Sequence, residues 1–505
     1  MNLTSRQYLT TPIYYASGSP HLGHAYTTFV ADCYKRYYQA CGYEVLLTSG
    51  TDEHGQKIER TSAKNNESTE SFIQKRSDEF SRLWIDLGIE LDAFQRTSSP
   101  EHKSLVVEFW KRLQEKGDIY KGHYEGLYCV ECEQYFTDGD QCPVHRKPLE
   151  HYSEESYFFR LSAYQQKLID HIEKHPDFIV PSTRRNEVLS FLKSSGLHDL
   201  SISRTSTRWG IQVPDDSRHV IYVWIDALAA YLSALGPLDG KEIEEYWPNT
   251  THFIGKDILI FHAVYWPALL WSAGLDLPRQ LVVNGWLTVE GRKISKSDPE
   301  TIIDPVSLTE ITGCDGLKYY FLKAVKLGQD LDFRKDHLIE LLNADLANNF
   351  GNLFSRFIKL FIKHFPDGID LDTQILSTAN QHILTAVSAK RAAFIRALEK
   401  YELSIAARIF IDTAALLNAS FQQREPWKIA NREELAEYLW TVHQCLETLT
   451  LLGYCFIPGI IENARGGLNL GNPPVFKEPL GDVNGSAAKK SGVKVRGIES
   501  LFPRL

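Results

Sequence analysis

The chain has 505 residues with 43% apolar content, enough to bury substantial cores and, at this length, to form two or more domains. Its formal net charge of -9 excludes a general polycationic nucleic-acid coat, so any RNA contact must use local basic and aromatic surface. No basic, apolar, small-residue leader pattern opens the chain, and the longest apolar helix candidate, around residues 258–271, is interrupted by His262 and Pro267, so a cytoplasmic protein without a membrane partner is expected.

Residues 9–15 are rich in β-branched, aromatic and apolar side chains and predict a strand. Ser19-Pro20-His21-Leu22-Gly23-His24 follows, with Ser19 suited to an N-cap and Pro20 to the first helical position. His21 and His24, three apart, then share a face at a helix start, where unsatisfied N–H groups favour phosphate, and Gly23 leaves room for a flat base. On this pattern alone, two incidental histidines in a turn are the favoured reading. A second strand is expected over residues 44–48, with Gly50-Thr51-Asp52-Glu53-His54-Gly55 just past its C-terminal end, where ligands bind in parallel α/β sheets. On spacing alone, Asp52 could simply cap the next helix.

Residues 61–115 carry helical periodicity. Of eight cysteines, Cys33, Cys41, Cys314, Cys445 and Cys455 are scattered and do not form a disulfide framework. Cys129, Cys132, Cys142 and His145 come in two turns of metal-ligand spacing across Asp138-Gly139-Asp140, which points to structural Zn2+; a redox dithiol is the competing reading. Four protein ligands leave no open position for activating water.

An apolar strand is expected over residues 219–224, another ends at Phe253-Ile254-Gly255-Lys256-Asp257, and a last one spans 281–286. After a Gly291 turn comes the polar loop Arg292-Lys293-Ile294-Ser295-Lys296-Ser297. No GxxxxGK[ST] or GxGxxG loop is present, so nucleotide binding must use other parts. From Leu338 onward apolar residues recur at helical spacing, through residues 383–418 and 433–452, predicting an antiparallel bundle. Asn352 and Arg356 lie four apart on one helix face, and Arg424-Glu425-Pro426-Trp427 opens another helix; Trp427 suits bundle core and base stacking equally.

The HLGH stretch and residues 293–297 resemble the two signature motifs of class I aminoacyl-tRNA synthetases, and the flanking residues resemble the methionyl-tRNA synthetase family over nearly the whole chain. The resemblance implies an α/β fold: a class I synthetase Rossmann-type parallel sheet split by a zinc-bearing connective insertion, followed by an α-helical anticodon-binding bundle. It places the first half of the catalytic domain at 1–115, the connective peptide at 116–218, the second half at 219–290, the signature loop and stem-contact module at 291–340, the bundle at 341–465 and a wrapping tail at 466–505. It implies activation of L-methionine with ATP and Mg2+ and transfer to tRNA(Met), with His21, His24, Arg204, Lys293 and Lys296 at the catalytic centre. Gly23, Lys256 and Asp257 join them around ATP, while Ile13, Tyr15, Asp52, Trp224, Ala227, Tyr231 and His262 hold methionine, Asp52 through its α-ammonium group. Asn352, Arg356 and Trp427 would read the anticodon.

The insertion is too short for the hydrolytic domain of the isoleucyl, valyl and leucyl enzymes; homocysteine, differing by one methyl, would be rejected by cyclisation in the synthetic site. The appended dimerisation domain of some members is missing, so a monomer is expected. Ile294 stands where the family usually has methionine, and Met1 is the sole methionine, which suggests systematic exclusion of this residue, by redesign or by a natural bias. The alternatives are another class I synthetase and a catalytically silent tRNA-binding protein.

Overall fold

The computed structural model describes all residues except 1–5, 130–133, 137–138, 143–145, 195, 295–298, 372–375, 472–475, 477–492 and 499. Its chain divides into two compact units, residues 1–31 with 45–284 and residues 32–44 with 285–505, so one boundary falls inside the first helix, α1 (Leu22–Ala40).

The first unit is built on a sheet of six described strands. Strand β1 (Arg6–Tyr15) lies at its centre, flanked on one side by β2 (Glu44–Asp52) and then β3 (Ala93–Arg96). On the other side come Thr250–Gly255, Gln280–Asn284 and Ile179–Val180. Thr250–Gly255 runs parallel to β1, with Tyr8 beside Thr250 and Thr10 beside His252, and Gln280–Asn284 continues the parallel array. All five residues of Gln280–Asn284 are buried, as expected for a parallel strand covered on both faces. Strand order reverses between β1 and Thr250–Gly255, and such a switch point opens a crevice at the carboxyl ends of the strands.

Helices α2 (Gln56–Lys64), α3 (Thr69–Asp86) and α4 (Pro100–Glu115) follow β2 and β3, and α4 is started by Ser99, whose side chain accepts from the His102 N–H. The stretch read as helical thus also contains β3, a four-residue edge strand too short to show an alternating pattern. The intervening segment forms a long hairpin, Ile119–Cys129 against Glu150–Phe159, yet it does not bury a separate core. Phe159, Leu168, Ile172 and Val188 pack in one cluster with Ile254 and Leu281 of the sheet, and Ile179–Val180 supplies the sheet's edge strand.

Three expectations need correction. Helix α1 begins at Leu22, two residues beyond the Ser19-Pro20 start. Gly50, Thr51 and Asp52 lie inside β2, and α2 has Gly55 as its N-cap with no side-chain cap bond, so Asp52 is not a helix cap. The apolar run at 219–224 is not a strand of the parallel sheet: Asp216–Ile221 pairs antiparallel with Ser203–Arg204 and Gln212–Val213, and Val223–Ser233 is a helix buried almost all round. A continuous apolar run does not distinguish a buried strand from a buried helix.

In the second unit, Leu287–Val289 and Arg292–Lys293 form a hairpin whose two turn residues, Glu290 and Gly291, have φ of 50° and 76°, the double positive φ of a type I′ turn. Asp332 braces it, accepting from the Gly291 N–H (2.6 Å) and Thr288 Oγ1 (2.9 Å). Helices Pro305–Ala324, Lys335–Leu342, Asn352–His364, Thr378–Glu399, Leu403–Arg424, Arg432–Gly453 and Pro458–Gly467 follow, with a π-helical stretch over Asn343–Gly351. The periodicity over 383–418 is two helices, broken where Tyr401 takes φ 58°.

Buried within this unit, Asp32 pairs with Lys318 (3.0 Å) and Arg36 (3.2 Å). Burial alone would raise the Asp32 carboxyl, but the two cations outweigh it and hold it below its ordinary range. Among the described residues one helical stretch, Leu403–Lys428, is long and apolar enough to cross a membrane, longer than the 258–271 candidate; Ala407, Phe410, Ala414, Leu417 and Phe421 on it are buried, while Ile405 and Trp427 are exposed.

Candidate active site

The carboxyl ends of the central strands in the first unit carry Ile13, Tyr15, Asp52, Lys256 and Asp257. After β1 the chain enters α1 through His21 and His24, whose rings stack with centroids 3.8 Å apart. His21 occupies the N-cap place. Its backbone N–H donates to His24 Nδ1 (3.0 Å), and the Gly23 N–H donates to His21 Nδ1 (3.2 Å), so the two imidazoles cap donors that a helix start leaves over. With both Nδ1 atoms accepting, each neutral ring carries its proton on Nε2, the atom a phosphate oxygen needs. Tyr14 holds the turn from behind: its hydroxyl donates to the His24 carbonyl (3.0 Å) and its ring meets the His24 ring edge-on at 4.9 Å.

Asp52 ends β2, with its carbonyl accepting from the Ala16 N–H at 2.9 Å. Lys256 and Asp257 follow Thr250–Gly255 directly, so they rise from the strand next to β1.

The predicted side-chain slot is assembled by the Val223–Ser233 helix and the π-helical turn Phe261–Tyr265. Tyr231 donates its hydroxyl to His262 Nε2 (2.8 Å), while His262 Nδ1–H donates to the Ile258 carbonyl (2.9 Å). Burial pushes the His262 imidazole down to about 4, so it is neutral at pH 7, and burial likewise pushes the Tyr231 phenol up, with the Asp52 carboxylate among its charged neighbours. Trp224 is half-buried and stacks on Phe261 at 3.6 Å, and Ala227 is buried beside them. Ile13 and Tyr15 are half-buried at the end of β1, with Lys57 Nζ 5.5 Å from the Tyr15 ring centroid. The arrangement brings a carboxylate within electrostatic reach of Tyr231, beside a neutral imidazole and stacked aromatic rings, a set of groups that suits an α-amino acid with an apolar side chain.

Phe261 and His252 were not singled out from the sequence. His252 lies 4.4 Å from the Tyr231 ring and bonds Thr10 Oγ1 at 2.6 Å; burial and the neighbouring His262 hold its imidazole well below the ordinary value. A buried histidine in an apolar strand carries no local signal.

Arg204 is buried, donating to the Ser203 carbonyl (2.7 Å) and Ser201 Oγ (3.0 Å), with its guanidinium 4.2 Å from the Tyr222 ring and 5.6 Å from that of Tyr128. It is a packed residue behind the start of the Val223–Ser233 helix, not an exposed surface arginine. Lys293 closes the hairpin of the second unit, while Lys296 lies outside the described residues.

Cys129 and Cys142 are both buried, at the end of one hairpin strand and in a tight turn where the Arg146 N–H donates to the Cys142 carbonyl (2.7 Å). Two buried thiols at metal-ligand spacing are chemically suited to a thiolate site; Cys132 and His145 lie outside the described residues. In the second unit, Asn352 is exposed and Arg356 half-buried on one helix, and Trp427 is 47% exposed in the short turn Pro426–Lys428, not at the start of a long helix. The Arg356 guanidinium lies 5.6 Å from the Trp427 ring centroid. That exposure removes the bundle-core reading of Trp427.

The sequence model of the family described as tRNA synthetases class I (M) matches residues 7–151 and 140–358. A methionine--tRNA ligase of Thermosynechococcus vestitus is 42% identical over 495 residues, covering 94% of this chain and 92% of its own. One of Rickettsia felis is 38% identical over 507 residues and covers 98% of both. The structure of Mycobacterium tuberculosis methionyl-tRNA synthetase in complex with methionyl-adenylate superposes with a TM-score of 0.92 at 34% identity, covering 99% of this chain and 100% of that one. Full-length similarity at this identity, on a fold with this crevice, has one consequence: the chain belongs to the methionyl-tRNA synthetases, within the class I aminoacyl-tRNA synthetases.

Proposed function

We propose that this chain is a methionine--tRNA ligase, which activates L-methionine with ATP to methionyl-adenylate and pyrophosphate. It then transfers methionine to the 3′ end of tRNA(Met), for initiation and elongation. The observation that carries this reading is the pairing of Asp52 with the neutral slot of Trp224, Ala227, Tyr231 and His262 beside the histidine-capped start of α1.

Asp52 takes the α-ammonium group, and the thioether enters the slot between Trp224 and the Tyr231–His262 pair. Because the Tyr231 proton goes to His262, and the second His262 nitrogen is spent on Ile258, the slot offers no charge to a polar side chain. The methionine carboxylate attacks the α-phosphorus, the bond to the bridging oxygen breaks, and pyrophosphate leaves with the electron pair. Catalysis is therefore positioning plus electrostatics, without a protein nucleophile.

His21 and His24 donate from Nε2 to phosphate oxygens, the base lies against Gly23, Lys256 and Asp257 border the nucleotide, and Lys293 and Lys296 meet the charge growing on pyrophosphate. Mg2+ arriving with ATP supplies further neutralisation of the phosphates. Arg204, from its packed position, supports the wall that carries Tyr222 and the slot helix. In the second step a terminal ribose hydroxyl of tRNA attacks the methionyl carbonyl and AMP leaves.

Cys129, Cys132, Cys142 and His145 would hold one Zn2+ that fixes the tip of the insertion. Asn352, Arg356 and Trp427 read the anticodon, with stacking on the exposed indole and hydrogen bonds from amide and guanidinium. The enzyme acts as a cytoplasmic monomer. Charging assays test the reading: labelled methionine should be esterified to tRNA(Met) with release of AMP, and a tRNA(Met) with an altered anticodon should be charged poorly. Equal charging of both tRNAs would remove the anticodon assignment, and charging of neither would remove the ligase reading.

A further inference from the structure

The first unit contains a buried charged network that the chemistry above does not use. Asp226 is fully buried on the slot helix, between Trp224 and Ala227, and accepts from two histidines: His54 Nδ1–H to Oδ2 and His102 Nε2–H to Oδ1, each at 2.6 Å. His102 in turn meets Ser233 Oγ at 2.8 Å, at the far end of the same helix.

We propose that the His54–Asp226–His102 network is a positioning device that fixes the Asp52 carboxylate relative to the slot on Val223–Ser233, and so sets methionine affinity independently of ATP. The proposal rests on the assignment of Asp52 and the slot to methionine.

The argument is one of reach. Asp52 is two residues from His54, and the segment between them is clamped on both sides. Glu53, fully buried, accepts from Thr51 Oγ1 (2.7 Å) within its own segment; Arg96 Nε (2.8 Å) and Ser98 also donate to it, and its N–H donates to Thr97 Oγ1 (2.9 Å), three bonds that tie the loop to the end of β3. His54 ties the other side to Asp226 on the slot helix. A third restraint comes from Trp209, whose Nε1–H donates to the Glu53 carbonyl (2.6 Å) and whose own carbonyl accepts from the Gly55 N–H (3.3 Å).

The loop could be held by apolar packing alone, and a buried ionised carboxylate is a poor choice for stability. What the carboxylate adds is direction. Two short, directional bonds to the two oxygens of one carboxylate constrain both the rotation of the slot helix and the height of the Asp52 loop, whereas apolar contacts tolerate sliding. Methionine binds by its ammonium group at one of these elements and by its side chain at the other, so an error in their separation falls on the amino acid. ATP meets α1 and the Lys256–Asp257 end of Thr250–Gly255, outside this clamp.

Asp226→Asn and His54→Gln should test this in methionine-dependent exchange of pyrophosphate into ATP. In Asp226→Asn the new amide N–H faces one of the ring N–H donors, so one arm must open; His54→Gln keeps the His102 arm and serves if the first variant does not fold. The proposal expects the methionine KM to rise roughly tenfold or more, with the ATP KM within about twofold of the unsubstituted protein and kcat little changed. An unchanged methionine KM in a folded variant, or methionine and ATP KM values rising together, would overturn it. If the unsubstituted chain shows no methionine-dependent exchange, the slot assignment itself falls and the proposal with it.

Discussion

Tyr231 shows how much of the slot hangs on one hydroxyl. It is the donor to His262 Nε2, an acceptor at the bottom of a fully buried site. Replacing it with phenylalanine keeps the ring and strips the partner from the imidazole, which costs ~1–3 kcal/mol for an unsatisfied buried group. Thermal unfolding of Tyr231→Phe should show that loss together with a raised methionine KM; an unchanged melting temperature and KM would contradict the assigned bond.

Asp226 makes a pH-dependent contribution of its own. Burial would raise its carboxyl, but His54 and His102 outweigh that and hold it at about 2, below its ordinary 3.8. A depressed carboxyl stabilises the fold above its unfolded value and loses that stabilisation as pH falls through the folded one. Roughly 2–3 kcal/mol should therefore disappear between about pH 4 and pH 2. The stability gap between the unsubstituted protein and Asp226→Asn should narrow over that window, and a gap constant from pH 6 to pH 2 would refute the assignment.

These residues also mark what the sequence could and could not say. A strand, a turn and a helix start around HLGH were legible because they are local patterns, but the roles given to His21, His24, Asp52 and the slot residues came from a family resemblance, and on local pattern alone Asp52 read as a helix cap. His54, His102 and Asp226 were not, since His54 and His102 are 172 and 124 residues from Asp226 and no local pattern announces such a contact.

At the scale of elements, the misread segments share a cause. Residues 219–224 straddle the end of an antiparallel strand and the start of a buried helix, and an apolar run has no period to separate the two. The exposed turn of Trp427 was equally hidden, because composition does not give exposure. Its exposure makes a sharp expectation. Trp427→Ala should change stability by less than ~0.5 kcal/mol, as surface substitutions do. A lost base stack of ~1–3 kcal/mol should lower kcat/KM for tRNA(Met) charging roughly ten- to a hundredfold and leave pyrophosphate exchange intact. Destabilisation with normal charging would return the indole to a structural role.

The insertion hairpin makes a different demand. Metal analysis should find one zinc per chain, and Cys129→Ser should lose it along with the folding of the hairpin tip. A metal-free protein of normal stability would leave the cysteines as a redox pair.

Over the whole molecule there are two compact units: one built on the parallel sheet, whose switch point carries the residues proposed for amino acid and nucleotide, and a helical one that carries the hairpin of Lys293, the exposed Asn352 and Trp427 and the half-buried Arg356. Ile294, which follows this hairpin, is half-buried and replaces an apolar side chain with another, so the charges on either side of it in sequence are untouched.

The central claim is that the slot between Asp52 and the Tyr231–His262 pair activates methionine. Amino-acid-dependent exchange of labelled pyrophosphate into ATP, without tRNA and with methionine, leucine, isoleucine and cysteine offered in parallel, tests it most directly. Exchange with methionine alone is the predicted result; exchange with another amino acid, or with none, would contradict the slot assignment, and the latter would leave a tRNA-binding protein without synthetic activity.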